Sequence, residues 1–263
     1  MEHRFEDVKI PNYSLEGKVA IVTGGTKGLG YATAITFAAY GANVVVASRT
    51  PERCERVAKE LEEHFHVRAL GIPTDVTKVN QIENLIQKTV DVFGKVDIVV
   101  ANAGIGSTSF AVDVTEEHWD EVVDLDLKAV FFTDQLAAKQ MIGQGTGGKI
   151  INIASAAGIM GSKALSVYCA AKAGVVNMTK ALALEFGRDN ILVNAICPGY
   201  FKTSLNEKQL DVPKVRKAIE DFTIVKRLAN FHEITSGILW LASDCSGYTT
   251  GTHLLIDGGG FAR

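Results

Sequence analysis

Short apolar runs alternate with longer segments of helical periodicity along most of the chain. The run at 96–101 has apolar residues in succession rather than in alternation, which is typical of strands covered on both faces of a parallel sheet. Between the runs, apolar residues recur every three or four positions, as at Val79, Ile82, Leu85, Ile86 and Val90. This alternation predicts an α/β fold in which helices link parallel strands.

The pattern predicts strands at 18–23, 43–47, 67–72, 96–101, 149–154, 191–196 and 253–257, and helices at 32–40, from 51 onward, and at 79–90, 122–142, 167–186 and 231–242. This order indicates a doubly wound Rossmann fold: a seven-stranded, mainly parallel sheet with helices on both faces. No internal repeat or low-complexity linker divides residues 1–263, so we expect one domain. Residues 200–223 are rich in charge and form either a solvated helix or a substrate-covering segment.

Composition and charge argue against several classes of function. The 27 Lys and Arg residues are balanced by 30 Asp and Glu, so no nucleic-acid surface is expected. No apolar run approaches the ~18 residues of a membrane span, and the polar N-terminal segment has no signal-peptide core, so we expect a cytoplasmic protein. Four dispersed cysteines without a CxxC pair, and His64 and His66 without a third ligand, predict no metal site.

A glycine-rich turn follows the first predicted strand. Gly24, Gly28 and Gly30 have the spacing G-x-x-x-G-x-G, and a helix follows. Glycine lets the backbone approach a pyrophosphate, and the free N–H groups of a helix N-terminus bind it. The turn is therefore a candidate dinucleotide site, although such turns often only connect two elements. Its other candidate cofactor contacts are Thr26, Lys27 and Leu29.

Two further strand ends carry candidate cofactor contacts. Asp75 and Val76 follow the third strand, and Asn102, Ala103 and Gly104 follow the fourth. The carboxyl ends of parallel strands form the ligand crevice of this architecture. Asp75 could accept a hydrogen bond from an adenine amino group, or it could cap the next helix. The two small residues would let a nucleotide pass close to the backbone.

Tyr168 and Lys172 lie one helical turn apart, on the same face of a predicted helix. A free phenol has a pKa of about 10, too high for efficient proton transfer at neutral pH, and a nearby cation favours the phenolate. Ser155 lies just beyond the fifth strand and can donate a hydrogen bond to the same substrate oxygen. Taken alone, the pair could be an ordinary helix-surface contact.

Together these segments resemble the short-chain dehydrogenase/reductase family, in its shorter single-domain branch, over almost the whole chain. One departure is Ala101-Asn102, where the family usually has two asparagines. The matching pieces, in order, are Thr23-Gly24-x3-Gly28-x-Gly30, Asp75-Val76, Asn102-Ala-Gly, Ser155, Tyr168-x3-Lys172, Val193-Asn-Ala, Pro198-Gly-x3-Thr203 and Asp257-Gly-Gly.

The resemblance implies an NAD(P)-binding domain that transfers a hydride between a nicotinamide and a carbonyl or alcohol carbon. Tyr168 is then the general acid or base, Lys172 binds the nicotinamide ribose and activates the phenol, and Ser155 orients the substrate oxygen. The helix that carries Tyr168 and Lys172 commonly packs in a tetramer, so a homotetramer or homodimer is expected. The residues implied to border the nicotinamide are Pro198, Gly199, Phe201 and Thr203.

Asp126 stands where most members of that family have an asparagine that helps to hold a water leading from the lysine to solvent. We hypothesise that the relay survives, because a carboxylate accepts a hydrogen bond from water and can stabilise Lys172. The charge could instead counteract Lys172. The alternative is that Asp126 is simply an exposed helix residue.

NADP(H) is the expected cofactor, with NAD(H) as the alternative. Enzymes that prefer NAD place an acidic residue after the second strand, and residues 46–50 contain none. Ser48 is small enough to admit a 2′-phosphate, and Arg49 and Lys27 could bind it from two sides.

The expected substrate is a small polar carbonyl or alcohol, such as a sugar, polyol or sugar acid. This expectation rests on a likeness to relatives that handle such compounds. One alternative is a 3-oxoacyl-thioester reductase. Another is a non-catalytic protein that senses NAD(P), and the intact Ser155, Tyr168 and Lys172 argue against it.

Overall fold

One parallel sheet runs through the computed structural model, which describes residues 9–202 and 210–262. All its strand pairs are parallel, and the order is β3-β2-β1-β4-β5-β6-β7. The predicted doubly wound fold is confirmed. The strands are β1 (Val19–Thr23), β2 (Asn43–Ser48), β3 (Ala69–Pro73), β4 (Ile98–Ala101), β5 (Gly148–Ile153), β6 (Ile191–Pro198) and β7 (His253–Ile256).

Helices cover both faces of the sheet. They are α1 (Gly28–Ala39), α2 (Pro51–Phe65), α3 (Val79–Phe93), α4 (Glu116–Val123), α5 (Ala129–Gln144), α6 (Ser166–Phe186), α7 (Pro213–Phe222) and α8 (Phe231–Ala242). Helices α1, α2 and α8 pack on one face, and α3, α5 and α6 on the other. In β1, Ala20 and Val22 face the first layer and Ile21 the second. The strands are apolar at successive positions because both faces are buried.

The sheet reverses its direction of growth between β1 and β4. From β1, successive strands are added outward to β3, and from β4 they are added in the opposite direction to β7. In such sheets the crevice beyond the carboxyl ends at this switch point is where ligands bind. The glycine turn follows β1 and Asn102 follows β4, so the topology brings these two candidates together.

Two predicted boundaries were wrong, and Asp75 does not have the capping role that the sequence allowed. Helix α1 begins at Gly28 rather than at residue 32, because the glycines of the turn already belong to its first turn. Asp75 does not cap α3, whose N-cap residue is Lys78. The Asp75 carboxylate instead accepts bonds from the backbone N–H and the hydroxyl of Thr77, at 3.1 and 2.8 Å. Strand β3 is displaced by two residues at its start, from 67 to Ala69.

The helix predicted at 122–142 is longer and is interrupted. It starts at Glu116, where the Thr115 hydroxyl accepts a bond from the His118 N–H at 3.2 Å. A π-helical turn, Asp124–Lys128, separates α4 from α5. Such turns insert one extra residue and are frequent at functional sites. This turn carries Asp126, which is buried, so the interpretation of Asp126 as an exposed helix residue is wrong.

The charged segment 200–223 contains helix α7, with Pro213 in its first turn as proline tolerates. The helix carries no buried residue, yet Phe222 at its end lines the cavity described below. Thr203, a predicted cofactor contact, lies outside the described residues.

Candidate active site

A cavity of about 310 Å³ opens at the carboxyl ends of the central strands. It collects residues that are far apart in the sequence, from the glycine turn to the loop after β6. The predicted site residues that line it are Gly24, Lys27, Gly28, Leu29, Asn102, Ala103, Gly104, Asp126, Ser155, Tyr168, Lys172, Pro198, Gly199 and Phe201. Those that do not are Thr26, Gly30, Ser48, Arg49, Asp75 and Val76.

The glycine turn packs tightly against the end of β4. A Cβ added to Gly30 would collide with Asn102 Nδ2 and with the carbonyl oxygen of Gly24. Gly24 itself has a φ of 63°, and a Cβ there would lie 2.8 Å from Asn102 Nδ2. Both positions therefore need glycine, one for a close approach and one also for its left-handed backbone.

Asn102 and Thr23 hold the two strand ends in register. Asn102 Nδ2 donates to the Thr23 carbonyl at 2.8 Å, and the Asn102 N–H donates to Thr23 Oγ1 at 3.0 Å. Thr23 Oγ1 also accepts from the Ala103 N–H, at 3.1 Å. Helix α1 begins here with no side-chain cap and no acidic residue in its first turn. Its first N–H groups are therefore suited to bind an anion.

A second wall of the cavity carries the proton-transfer candidates. Ser155 follows β5, and its Oγ accepts from the Ala157 N–H at 3.1 Å. Tyr168 and Lys172 lie on one face of α6, with Lys172 Nζ 5.7 Å from the centre of the Tyr168 ring. Gly158 lets the Ser155 loop approach α6, because a Cβ there would lie 2.7 Å from the Lys172 backbone. The chain therefore places a hydroxyl, a phenol and an ammonium around one space.

Lys172 is 4% exposed and is held from two directions. Its Nζ donates to the carbonyl of Ile153 at 3.1 Å and lies 3.5 Å from Asp126 Oδ1. Burial alone would lower the pKa of Lys172, but the charges of Asp126 and Tyr168 outweigh it, so this pKa lies above its usual value. Lys172 is therefore a cation at neutral pH.

Asp126 is 0% exposed and is the counter-ion of Lys172. Its Oδ1 accepts from the Ile105 N–H at 3.0 Å. Gly104 permits this approach, since a Cβ there would collide with Asp126 Oδ1. Burial raises the pKa of Asp126, and the positive charge of Lys172 opposes that rise. Oδ2 has no hydrogen-bond partner among the described residues. A water molecule could occupy that position.

The candidates for cofactor specificity lie outside the cavity lining or at its edge. Ser48 ends β2, and its Oγ lies 3.2 Å from Cys54 Sγ on α2. Arg49 and Lys27 are exposed. Within 9–202 and 210–262, neither of these two cations makes a hydrogen bond or an ion pair in the structure. Both are available to a ligand.

The far wall of the cavity lies mostly in the segments 105–110, 156–165 and 200–223, on which the sequence predicts that substrate choice depends, and only Phe261 falls outside them. This wall is largely apolar, and its members come from four separate loops and one helix end. They are Ile105, Met160, Leu165, Tyr200, Phe222 and Phe261. For Phe261, the available sequence signal was the Asp257-Gly-Gly segment. Asp257 accepts hydrogen bonds from the N–H groups of Gly259 and Phe261, both at 2.9 Å, and so turns Phe261 toward the cavity.

The described residues lack two features. No group of three His, Cys, Asp or Glu side chains there is placed to hold a metal ion. No helix there has both the length and the hydropathy to cross a membrane.

Three known proteins are similar to this chain over almost its whole length, and the family model described as short chain dehydrogenase matches residues 18–213. The 2-dehydro-3-deoxy-D-gluconate 5-dehydrogenase of Escherichia coli K12 is 39% identical over 257 residues, covering 95% of this chain and 98% of the relative. The 3-oxoacyl-acyl-carrier-protein reductase of Thermotoga maritima is 38% identical, with coverages of 93% and 98%. A solved short-chain type dehydrogenase/reductase from Mycobacterium marinum has a TM-score of 0.90 at 37% identity, with coverages of 95% and 98%.

Proposed function

The chain belongs to the short-chain dehydrogenase family and is an oxidoreductase, and we propose that it transfers a hydride between NADP(H) and the carbonyl or secondary-alcohol carbon of a small polar substrate. The observation that carries the proposal is the shared cavity wall of Ser155, Tyr168 and Lys172, opposite the glycine turn. It combines a proton donor, a fixed cation and an anion-binding helix end around one space.

The roles of the three side chains follow from their positions. Tyr168 exchanges a proton with the substrate oxygen, as general acid in reduction and general base in oxidation. Lys172 places a positive charge beside the Tyr168 phenol and is kept charged by Asp126. Ser155 donates a hydrogen bond to the same oxygen. Asp126 positions Lys172 and offers Oδ2 to a water that could pass protons to solvent.

The residues present fit a dinucleotide. The turn leaves no room for a Cβ at Gly24 or Gly30, and the uncapped start of α1 offers N–H groups to a pyrophosphate. Pro198, Gly199 and Phe201 line the cavity and would border the nicotinamide. Asp75 and Val76 lie outside that lining and would border the adenine. When bound, this cofactor supplies or accepts the hydride.

The preference for NADP(H) over NAD(H) is supported by charge at the end of β2. No carboxylate lies within residues 46–50, and Arg49 and Lys27 are exposed cations. A guanidinium binds a phosphate through a planar fork of donors. Ser48 is bonded to Cys54, so its side chain is turned toward α2 and leaves the ribose position open.

The residues of the far wall are proposed to determine which substrate binds. The small polar carbonyl is our first candidate, because an Escherichia coli relative is named for a sugar acid. A 3-oxoacyl thioester is the second candidate, and a specific observation favours it. Tyr200, Phe222, Phe261 and Met160 give the cavity an apolar side on which an acyl chain could pack.

A cofactor-linked absorbance screen tests the proposal. Purified protein is assayed with NADPH or NADP+ against sugar acids, polyols, hexuloses and acyl-thioester analogues. The Tyr168→Phe variant should lose ~100- to 10,000-fold in turnover on any active substrate, with cofactor affinity almost unchanged. Tyr248→Phe is the matched control, because its phenol is fully exposed and lies outside the cavity lining.

Two results would contradict the proposal. Cofactor binding without turnover of any compound would favour a non-catalytic sensor of NAD(P). Retention of more than about a tenth of wild-type turnover in Tyr168→Phe, with chemistry rate-limiting, would remove the acid–base role.

We further propose that residues 1–263 act as one cofactor-binding domain in a cytoplasmic homotetramer or homodimer. This proposal rests on the family resemblance, in which the helix that carries the tyrosine and the lysine, here α6, commonly packs in a tetramer. Light scattering on the purified protein gives the oligomeric state directly.

A further inference from the structure

Three polar side chains are buried together behind the active site. They are Asp134 on α5, Asn152 on β5 and Thr179 on α6, and each is 0% exposed. Asn152 Nδ2 donates to Asp134 Oδ2 at 2.8 Å and to Thr179 Oγ1 at 3.1 Å. Thr179 Oγ1 donates to the Val175 carbonyl at 2.8 Å. The cluster therefore ties two helices to the central sheet.

The cluster has too few donor hydrogens for its acceptor oxygens. Both amide hydrogens of Asn152 and the hydroxyl hydrogen of Thr179 are already used. Two buried oxygens, Asp134 Oδ1 and Asn152 Oδ1, receive no hydrogen bond from any described residue. Buried polar groups are normally paired, and these two oxygens belong to side chains that already contact each other. One additional proton between them would satisfy both.

We propose that Asp134 is a neutral carboxylic acid that forms a two-bond ring with the Asn152 amide and positions β5 and α6 for the reaction. In this ring, Asn152 Nδ2 donates to Asp134 Oδ2, and the protonated Asp134 Oδ1 donates to Asn152 Oδ1. Carboxyl and carboxamide groups have the same planar shape, so both bonds can form at once. The positioning role rests on the proposed function, whereas the protonation does not.

The surroundings of Asp134 favour the neutral form. Burial raises its pKa to about 8, and only the Asn152 hydrogen bond opposes the rise. On the sheet, Asn152 is flanked by Ala101 of β4 and Ala195 of β6, which bring no charge. A carboxylate enclosed in this way would lack a counter-ion.

The charged residues of the packed elements are all engaged elsewhere or exposed, and none adds an electrostatic influence to the pKa of Asp134. On α6, Lys172 pairs with Asp126, and Lys180 and Glu185 lie at the surface. On β5, Lys149 donates to Ser246 Oγ at 3.2 Å. The others are Lys139 on α5 and Glu83, Lys88 and Asp91 on α3, which are exposed or bonded within their own helix.

The ring lies next to the residues that shape the active site. Asn152 directly precedes Ile153, whose carbonyl accepts the bond from Lys172, and it lies three residues before Ser155. Thr179 is two turns beyond Lys172 on α6. A charge at Asp134 would break the Oδ1 bond, which ties β5 to α5, and would so free the Asn152 amide that also holds Thr179 on α6. The lysine and serine would then lose their relative placement.

The Asp134→Asn variant keeps the planar shape of the side chain but removes its titratable proton. An asparagine can donate to Asn152 Oδ1 and accept from Asn152 Nδ2, so it preserves both bonds at every pH. Asp124→Asn is the control, because the Asp124 side chain is 47% exposed and, among the described residues, pairs only with Lys128, at 3.0 Å. Subtracting the infrared spectrum of Asp134→Asn from that of the wild type at neutral pH should leave the carbonyl stretch of a protonated carboxyl group. This band should disappear as the pH rises through about 8.

Unfolding in urea gives a second readout. The folded protein holds a proton that the unfolded chain releases, so a rising pH favours unfolding between the ordinary Asp pKa of about 4 and the raised value. Over that window the wild-type unfolding constant should increase about tenfold per pH unit relative to Asp134→Asn, and the ratio should level off above pH about 8. Asp124→Asn should show no such slope.

The activity profile tests positioning. Above pH about 8, kcat/KM of the wild type should fall relative to Asp134→Asn by roughly threefold or more. A missing carboxyl band, or equal unfolding slopes in the two proteins, would overturn the protonation. If the carboxyl band and the unfolding slope are as expected but the ratio of wild-type to Asp134→Asn kcat/KM does not change with pH, the positioning role is overturned. If no substrate turns over, the proposed function fails while the infrared and unfolding results still decide the state of Asp134.

Discussion

A methyl group added at Gly30 probes the glycine turn at its tightest point. In Gly30→Ala the new Cβ lies inside 3.0 Å of Asn102 Nδ2 and of the carbonyl group of Gly24. The first atom could rotate away, but it would then lose its 2.8 Å bond to the Thr23 carbonyl. The second is backbone, so the turn itself must move. The substitution therefore displaces the segment that is proposed to hold a pyrophosphate.

The expected cost follows from these contacts. Overpacking costs ~1–3 kcal/mol, and loss of the Asn102 bond adds ~0.5–1.5 kcal/mol. Replacing a helical glycine by alanine returns ~0.5–1 kcal/mol. The free energy of unfolding should fall by roughly 0.5–4 kcal/mol, which lowers Tm by roughly 1–16 °C for a chain of this size. The affinity for NADPH should fall about tenfold or more, equivalent to about 1.4 kcal/mol.

Calorimetry and fluorescence titration with NADPH measure the two effects. Gly143→Ala is the matched control, because Gly143 lies within helix α5 and a Cβ there meets nothing within 4 Å. That variant should keep its cofactor affinity and gain ~0.5–1 kcal/mol of stability. If Gly30→Ala binds NADPH as tightly as wild type and melts at the same temperature, the close approach of the turn to Asn102 is not what shapes the cofactor site.

Three further substitutions test individual charges. Arg49→Ala should reduce the kcat/KM preference for NADPH over NADH by about tenfold, because it removes one charge-assisted contact of ~1.5–3 kcal/mol. Arg56→Ala, a control on the following helix α2, should leave that preference unchanged. A wild type that prefers NADH would refute the assignment. Lys172→Ala should lose both turnover and cofactor affinity, and intact binding would show that the ammonium does not touch the cofactor. Asp126→Asn should lower the pKa of Lys172, because it removes a buried counter-ion. The alkaline limb of the pH–rate profile should therefore shift to lower pH. An alkaline limb at the wild-type pH, with equal turnover, would show that the charge of Asp126 has no catalytic consequence.

The sequence by itself determined the order of elements and the sheet they form. Strand residues such as Ala20, Ile21 and Val22 are apolar in succession because the two faces of β1 are both buried. Helix α8 was predicted at its observed bounds, 231–242. Local pattern suffices in these cases because burial on a helix or strand follows directly from its periodicity.

Spacing also predicted which side chains would meet in the cavity. Tyr168 and Lys172 share a helix face by geometry alone, and Ser155 and the glycine turn follow strands whose carboxyl ends lie on one edge. The same reasoning could not place the ends of α1 and α5. The start of α1 depends on a glycine packed beneath Asn102, and the π-helical turn before α5 depends on the burial of Asp126.

Only the tertiary structure decided the environment of each charge. Asp126 and Asp134 are eight residues apart and read alike in the sequence, yet one faces Lys172 and the other faces the Asn152 amide. The apolar wall of Tyr200, Phe222 and Phe261 likewise forms only when distant loops converge. Periodicity reports which side of an element is buried, whereas the pairing of a buried charge depends on the residues that other elements bring beside it.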